Sequence, residues 1–173
     1  TAWSKDPAVE SSALIEKFPS TLELTFKKAQ DLRCGENPHQ KAALYVPQKS
    51  GGKISYEQLH GKELSYNNLL DASGAWDAVT EFQEPAVVLF KHVTPCGVAT
   101  ADTLIRAFEK AWACDPLSAF GGVMAVNRIF SKDIAELLAK LFVEVIVAPG
   151  YDPEALEILK KKANIRLLAR QSP

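Results

Sequence analysis

The stretch LFKHVTPCGV, residues 89–98, places an ammonium-bearing Lys91 next to an imidazole-bearing His92, directly after an apolar run. A lysine can stabilise a developing oxyanion, and a histidine can take or give a proton near neutral pH. Neighbouring residues inside a strand point to opposite faces of the sheet. The two groups can therefore share a ligand only where the strand ends and the chain turns. Pro95 and Gly97 suggest such a turn, and open α/β sheets bind ligands at the carboxyl ends of parallel strands. A solvated lysine beside a hydrogen-bonded surface histidine is the commoner reading of such a pair. The residues alone leave both readings open.

Other stretches offer polar groups with the same ambiguity. The loop RCGENPHQ carries Arg33, Glu36, Asn37, His39 and Gln40 beside a glycine; a guanidinium there suits a phosphate or carboxylate, or is simply exposed. SAFGG (118–122) allows close backbone approach at Gly121 and Gly122 but fits neither the dinucleotide nor the P-loop pattern. Glu144 interrupts the apolar run VEVIVA, which places it at a sheet edge or in the grip of a ligand or partner. Asn67 and Asn68 open a helix, as caps or as groups facing a site. PCGVA is half of a zinc-deaminase signature, but position 99 is Ala and no H-x-E precedes it. No zinc site is therefore expected.

These groups need a scaffold, and periodicity indicates one. TLELTFKKA alternates Leu22, Leu24 and Phe26 with polar residues, the pattern of a half-buried strand. Leu69, Leu70, Ala72, Ala75, Trp76, Val79 and Phe82 form a helical stripe after Ser65, a suitable N-cap. AVVLF reads as a strand covered on both faces and VEVIVA as a second buried strand, while the run after Gly121-Gly122 and IRLLA read as further strands. Helices are predicted over 103–113, from Ser131 to about Leu141, and from Pro153 to Lys162. From residue 66 the alternation of helix and strand predicts a layered α/β fold with a largely parallel sheet and flanking helices. Residues 1–20, broken by Pro7 and Pro19, read as a linker or arm.

With 173 residues, 47% of them hydrophobic, the chain can form one domain or one lobe of a larger one. A net charge of −1 gives no basic footprint for nucleic acid. No apolar run is long enough for a membrane span, and no signal-peptide pattern opens the chain. Cys34, Cys96 and Cys114 lie far apart, which suits reduced thiols in a cytoplasmic protein. The first residue is not Met, as expected of a piece of a longer polypeptide.

Five stretches in order, LRCGENPHQKAALY, LHGKELSYNNLLDA, EPAVVLFKHVTPCGVA, DPLSAFGGVMAVNR and FVEVIVAPGYDPEALEILKKKANIRLL, closely resemble the bifunctional purine-biosynthesis family, AICAR transformylase/IMP cyclohydrolase. The likeness covers about residues 16–168 and falls on the first half of the transformylase domain. It implies that residues 1–20 link a preceding cyclohydrolase domain to a first transformylase lobe, 21–173. It implies a cytidine-deaminase-like fold without catalytic zinc. The activity implied is formyl transfer from 10-formyltetrahydrofolate to the 5-amino group of AICAR, in a cytoplasmic homodimer. Within that resemblance His92 matches the general base and Lys91 the group that stabilises the oxyanion. Arg33, Asn68, Gly121 and Glu144 match nucleotide contacts, and Phe120 the folate side. The family's usual L-R-Y-G is L-R-C-G here, so Cys34 replaces a tyrosine. The resemblance also implies a second lobe and partner-chain groups outside these residues. The other expectation is a nucleotide-binding or interaction lobe without turnover of its own.

Overall fold

The computed structural model describes residues 20–48 and 54–170; the predicted arm lies outside the described residues, apart from Ser20. The chain order is β1 (Phe26–Leu32), β2 (Ala42–Pro47), β3 (Glu57–His60), α1 (Tyr66–Thr80), β4 (Ala86–Lys91), β5 (Thr94–Thr100), α2 (Leu104–Cys114), α3 (Pro116–Ala119), β6 (Val123–Val126), α4 (Lys132–Leu138), β7 (Val145–Ala148), α5 (Pro153–Leu159) and β8 (Arg166–Ala169). Strands β1 and β2 form an antiparallel ribbon, and the other six form one sheet in the order β3-β8-β7-β6-β4-β5.

The apolar strands are sandwiched, and their alternation sorts the core into two layers. Val88, Phe90, Val123, Ala125, Val145, Val147 and Leu168 face α1, where Ala72, Ala75, Trp76 and Val79 meet them. Val87, Leu89, Met124, Val126, Ile146 and Leu167 face Ala107, Phe108, Ala111, Ile134, Leu138 and Leu159 from α2, α4 and α5. Each large side chain so buried contributes about 1.5–3 kcal/mol. Covering on both sides explains why these strands read as unbroken apolar runs.

Helix α1 starts where Ser65 and Asn68 cap each other. The Asn68 N–H donates to Ser65 Oγ, and the Ser65 N–H donates to Asn68 Oδ1. The observed span, 66–80, agrees with the predicted stripe.

The expectation of a largely parallel sheet is corrected. Only the β6–β7 and β7–β8 pairs are parallel; β4 pairs antiparallel with β6 and with β5, and β3 antiparallel with β8. The cause is strand β5, which sequence pattern did not reveal. Lys91 pairs with Thr94, so a two-residue loop joins β4 to β5, and so short a loop permits only antiparallel pairing. Pro95 and Gly97 therefore lie inside a strand. β5 is at the sheet edge, where proline is tolerated. A register shift leaves Cys96 unmatched as a bulge, and Gly97 lies against α2, where a Cβ would come within 2.2 Å of the Ala111 carbonyl oxygen.

The predicted first strand is also displaced. It begins only at Phe26, and Leu22, Leu24 and Phe26 are 73%, 67% and 49% exposed. Their alternation has no covering layer among the described residues.

Candidate functional site

The hairpin between β4 and β5 carries the most unusual backbone in the structure. His92 and Val93 have φ of 53° and 62°, the only non-glycine residues with positive φ among those described. Two-residue hairpin loops with both central residues left-handed normally use Asn-Gly. Each such residue costs about 1–3 kcal/mol, and a β-branched valine is among the least suited. One external contact supports the turn: the Val93 N–H donates to Asp71 Oδ1 of α1 at 2.7 Å. At the exposed end of the range a carboxylate acceptor contributes about 1.5 kcal/mol. That offsets part of the cost, and the β4–β5 ladder must hold the rest.

The turn brings Lys91 and His92 to the same cleft of about 440 Å³, which Asn67, Asn68, Asp71, Val93, Gly121 and Glu144 also line. That volume is within the usual range for small-molecule sites. Lys91 Nζ donates to the Phe120 carbonyl at 3.1 Å. Gly121, at φ 70°, passes so close that an added Cβ would lie 3.3 Å from that ammonium. The Gly121 N–H donates to the Phe142 carbonyl at 2.8 Å, which fixes the loop entering β6.

Glu144 forms another wall. It stands just before β7 rather than within a strand; its N–H donates to the Gly122 carbonyl, and its own carbonyl accepts from Arg166. Its carboxylate accepts a hydrogen bond from Asn68 Nδ2 at 3.1 Å, and Asn68 is only 5% exposed. Arg166 on β8 is buried, with Nε donating to the Glu63 carbonyl at 3.2 Å. Burial lowers its guanidinium from the ordinary range, the Glu144 charge works against that, and Arg33 adds to it.

The cleft therefore opens at the carboxyl end of β4 and the amino ends of β6 and β7. This differs from the expected carboxyl edge of a parallel sheet, because β4 runs against β6. The N-terminus of α1 also faces it through Tyr66, Asn67 and Asn68. An ammonium and a helix N-terminus favour an anionic or oxygen-rich ligand, while Glu36 and Glu144 supply hydrogen-bond acceptors.

Of the residues singled out from sequence, Lys91, His92, Asn68, Gly121 and Glu144 converge. Arg33 and Phe120 do not line the cleft. Arg33 is exposed, its N–H donating to the Leu64 carbonyl. Phe120 is 57% exposed, its ring tilted against Phe142 at 5.6 Å, and meets the site only through its carbonyl. Cys34 is buried; its carbonyl accepts from Tyr66 and ties the loop to α1. Within that loop Asn37 and Gln40 bond to each other, and Glu36 alone reaches the cleft. Asp71 and Arg166 were not foreseen. Asp71 reads as an ordinary polar helix position, though it lies one turn after Asn68 and so on the same face. Arg166 interrupts the apolar run of β8, the same signal that drew attention to Glu144.

Among the described residues no group of three His, Cys, Asp or Glu could hold a metal ion, and no helix is long and apolar enough to cross a membrane.

Residues 3–173 match the family described as AICARFT/IMPCHase bienzyme. The chain is 59% identical over 160 residues to the bifunctional purine biosynthesis protein PurH of Elusimicrobium minutum, covering 92% of this chain and 30% of that protein. Against the protein of the same name from Clostridium botulinum it is 51% identical over 166 residues, 94% of this chain and 33% of the relative. Against that of Thermoanaerobacter sp. it is 52% identical over 153 residues, 88% and 30%. The chain thus spans about a third of the length of the curated relatives it matches.

Proposed function

Since the chain belongs to the AICARFT/IMPCHase bienzyme family, we propose that it forms part of a site transferring a formyl group from 10-formyltetrahydrofolate to the 5-amino group of AICAR in purine biosynthesis. The observation that carries this reading is the meeting of Lys91 and His92 in one cleft with Asn68, Gly121 and Glu144. The amine nitrogen of AICAR attacks the formyl carbon and loses a proton to the His92 imidazole. Negative charge collects on the formyl oxygen, where the Lys91 ammonium stabilises it. The oxyanion then collapses, the C–N10 bond breaks, and N10 of the folate takes the proton that His92 received from the amine, with Lys91 assisting. Asn68 and Glu144 are suited to hydroxyl groups of the nucleotide, and the Gly121 backbone to close approach. Arg33 and Phe120 stand outside the cleft formed by this chain alone, and their roles toward the nucleotide and the folate rest on the family likeness.

In this reading residues 21–173 are a first lobe of deaminase-like fold, 1–20 a linker, and the whole enzyme a cytoplasmic homodimer whose remaining parts complete the site. In the longer enzyme containing these residues, His92→Ala should lower turnover by about 10²–10⁴-fold and Lys91→Met by about 10²–10³-fold. Circular dichroism should stay unchanged, because both side chains end outside the core. Near-normal formyl transfer by either variant rejects the assigned roles. Nucleotide binding without any formyl transfer in the wild type supports a binding lobe instead.

A further inference from the structure

We propose that Asp71 is a positioning residue for the Lys91–His92 site, holding the left-handed turn from helix α1 so that both groups enter one cleft. The acceptor is on a rigid element. Asp71 stands beside Ala72, which is buried with Ala75 and Trp76 against the sheet. One turn earlier on the same helix, Asn68 holds Glu144. Helix α1 thus pins two walls of the cleft with residues three apart, Asn68 at the carboxylate and Asp71 at the hairpin.

The hairpin needs such a hold. His92 and Val93 have positive φ without the Asn-Gly pair that makes this turn easy, and Val93 is 54% exposed, so packing does little to confine it. Without an acceptor for its N–H, Val93 would relax toward the extended region that β-branched residues prefer. The peptide between His92 and Val93 would rotate, and the imidazole would swing away from the cleft it shares with Lys91. Asp71 makes no contact with the reacting atoms in this scheme; it acts through the Val93 amide.

The catalytic consequence rests on the formyl-transfer reading, whereas the backbone claim does not, and the test separates them. In the full chain, exchange of the Val93 amide proton and the short Hα–HN distance that marks positive φ are followed by NMR. In the longer enzyme, turnover and KM are measured. Asp71→Ala should speed Val93 amide exchange by about tenfold or more. It should lower kcat by about 10–100-fold with little change in KM, as expected of misplacement near 1 Å. Asp71→Asn keeps an acceptor oxygen and should remain within a few-fold of wild type in both readouts. Adding Val93→Gly to Asp71→Ala removes the left-handed penalty and should recover most of the lost turnover.

The proposal is overturned if Asp71→Ala keeps amide protection and turnover. It is also overturned if Asp71→Asn loses turnover as fully as Asp71→Ala while Val93 stays protected, since the charge would then act directly. Should Asp71→Ala not fold, a folded and active Asp71→Ala/Val93→Gly variant supports the proposal, and an unfolded one overturns it. Absence of formyl transfer in the wild type removes the functional reading alone; amide exchange still decides the role of Asp71.

Discussion

Replacing Gly121 with alanine and, separately, Gly97 with alanine should separate the geometry of the site from the stability of the fold. At Gly121, φ is 70°, where an L side chain costs about 1–2 kcal/mol. The added Cβ would lie 3.3 Å from Lys91 Nζ and 3.6 Å from the Phe142 ring. The ring contact is ordinary. The ammonium contact is tight, but it ends a flexible side chain that can retreat, so the stability loss should be mainly the backbone term. Retreat draws the ammonium away from the Phe120 carbonyl, and a misplacement of a few tenths of an ångström should lower turnover by roughly tenfold.

Gly97 presents the opposite case. Its Cβ would lie 2.2 Å from the Ala111 carbonyl oxygen, and backbone cannot rotate aside. Helix α2 and strand β5 must separate, at a cost of about 3 kcal/mol. Gly97 is across the sheet from the cleft side, so turnover per folded molecule should change less than about twofold, since sites without shared partners are nearly independent. With a urea m-value near 2 kcal/mol/M, the midpoints should fall by about 0.5–1 M for Gly121→Ala and about 1.5 M for Gly97→Ala. The variant that loses more stability should lose less activity. Full turnover in Gly121→Ala would show that the Phe120–Gly121 loop does not place Lys91. A Gly97→Ala midpoint no lower than that of Gly121→Ala would refute the close approach of α2 to β5.

Two further outcomes follow from titration and burial. Asp115 caps α3, and the hydrogen bond from Ser118 Oγ at 2.6 Å, aided by the Ser118 N–H at 3.0 Å, holds its carboxyl below the usual carboxylate range. On acidification the unfolded chain takes up this proton first, so the contribution to stability is present above the ordinary value and lost as pH falls through the folded one. Ser118→Ala should flatten the fall of thermal midpoint between about pH 5 and pH 2; an unchanged slope would contradict this. Among the thiols, Cys114 is exposed and Cys34 buried, while burial pushes the Cys96 thiol up and its S–H donates to the Leu89 carbonyl at 3.5 Å. A thiol reagent should therefore modify Cys114 fast in the native state and the other two only slowly. Equal rates for all three would contradict the packing.

Much of the fold was legible because local chemistry and burial agree. Ser65 and the stripe from Leu69 to Val79 defined α1, the apolar runs of β4 and β7 announced a covered sheet, and those of β6 and β8 two further strands. Strand β5 was hidden because an edge strand tolerates Pro95 and Gly97, which in isolation signal a turn. The ribbon strand β1 was misplaced because alternation at Leu22, Leu24 and Phe26 carries no information about whether a covering layer exists.

At the site, the sequence by itself determined which reactive groups are adjacent: Lys91 and His92 are neighbours in the chain, and their exit from an apolar run marked a strand end. It could not place Glu144 and Gly121 beside them. That convergence depends on β4 running against β6, which brings the end of one strand to the beginnings of two others. Nor could it reveal that Asp71, 22 residues from Val93, supports the turn. Pairing direction and helix placement are set by the packing of the whole chain, because they depend on contacts between residues far apart in sequence that no local pattern encodes.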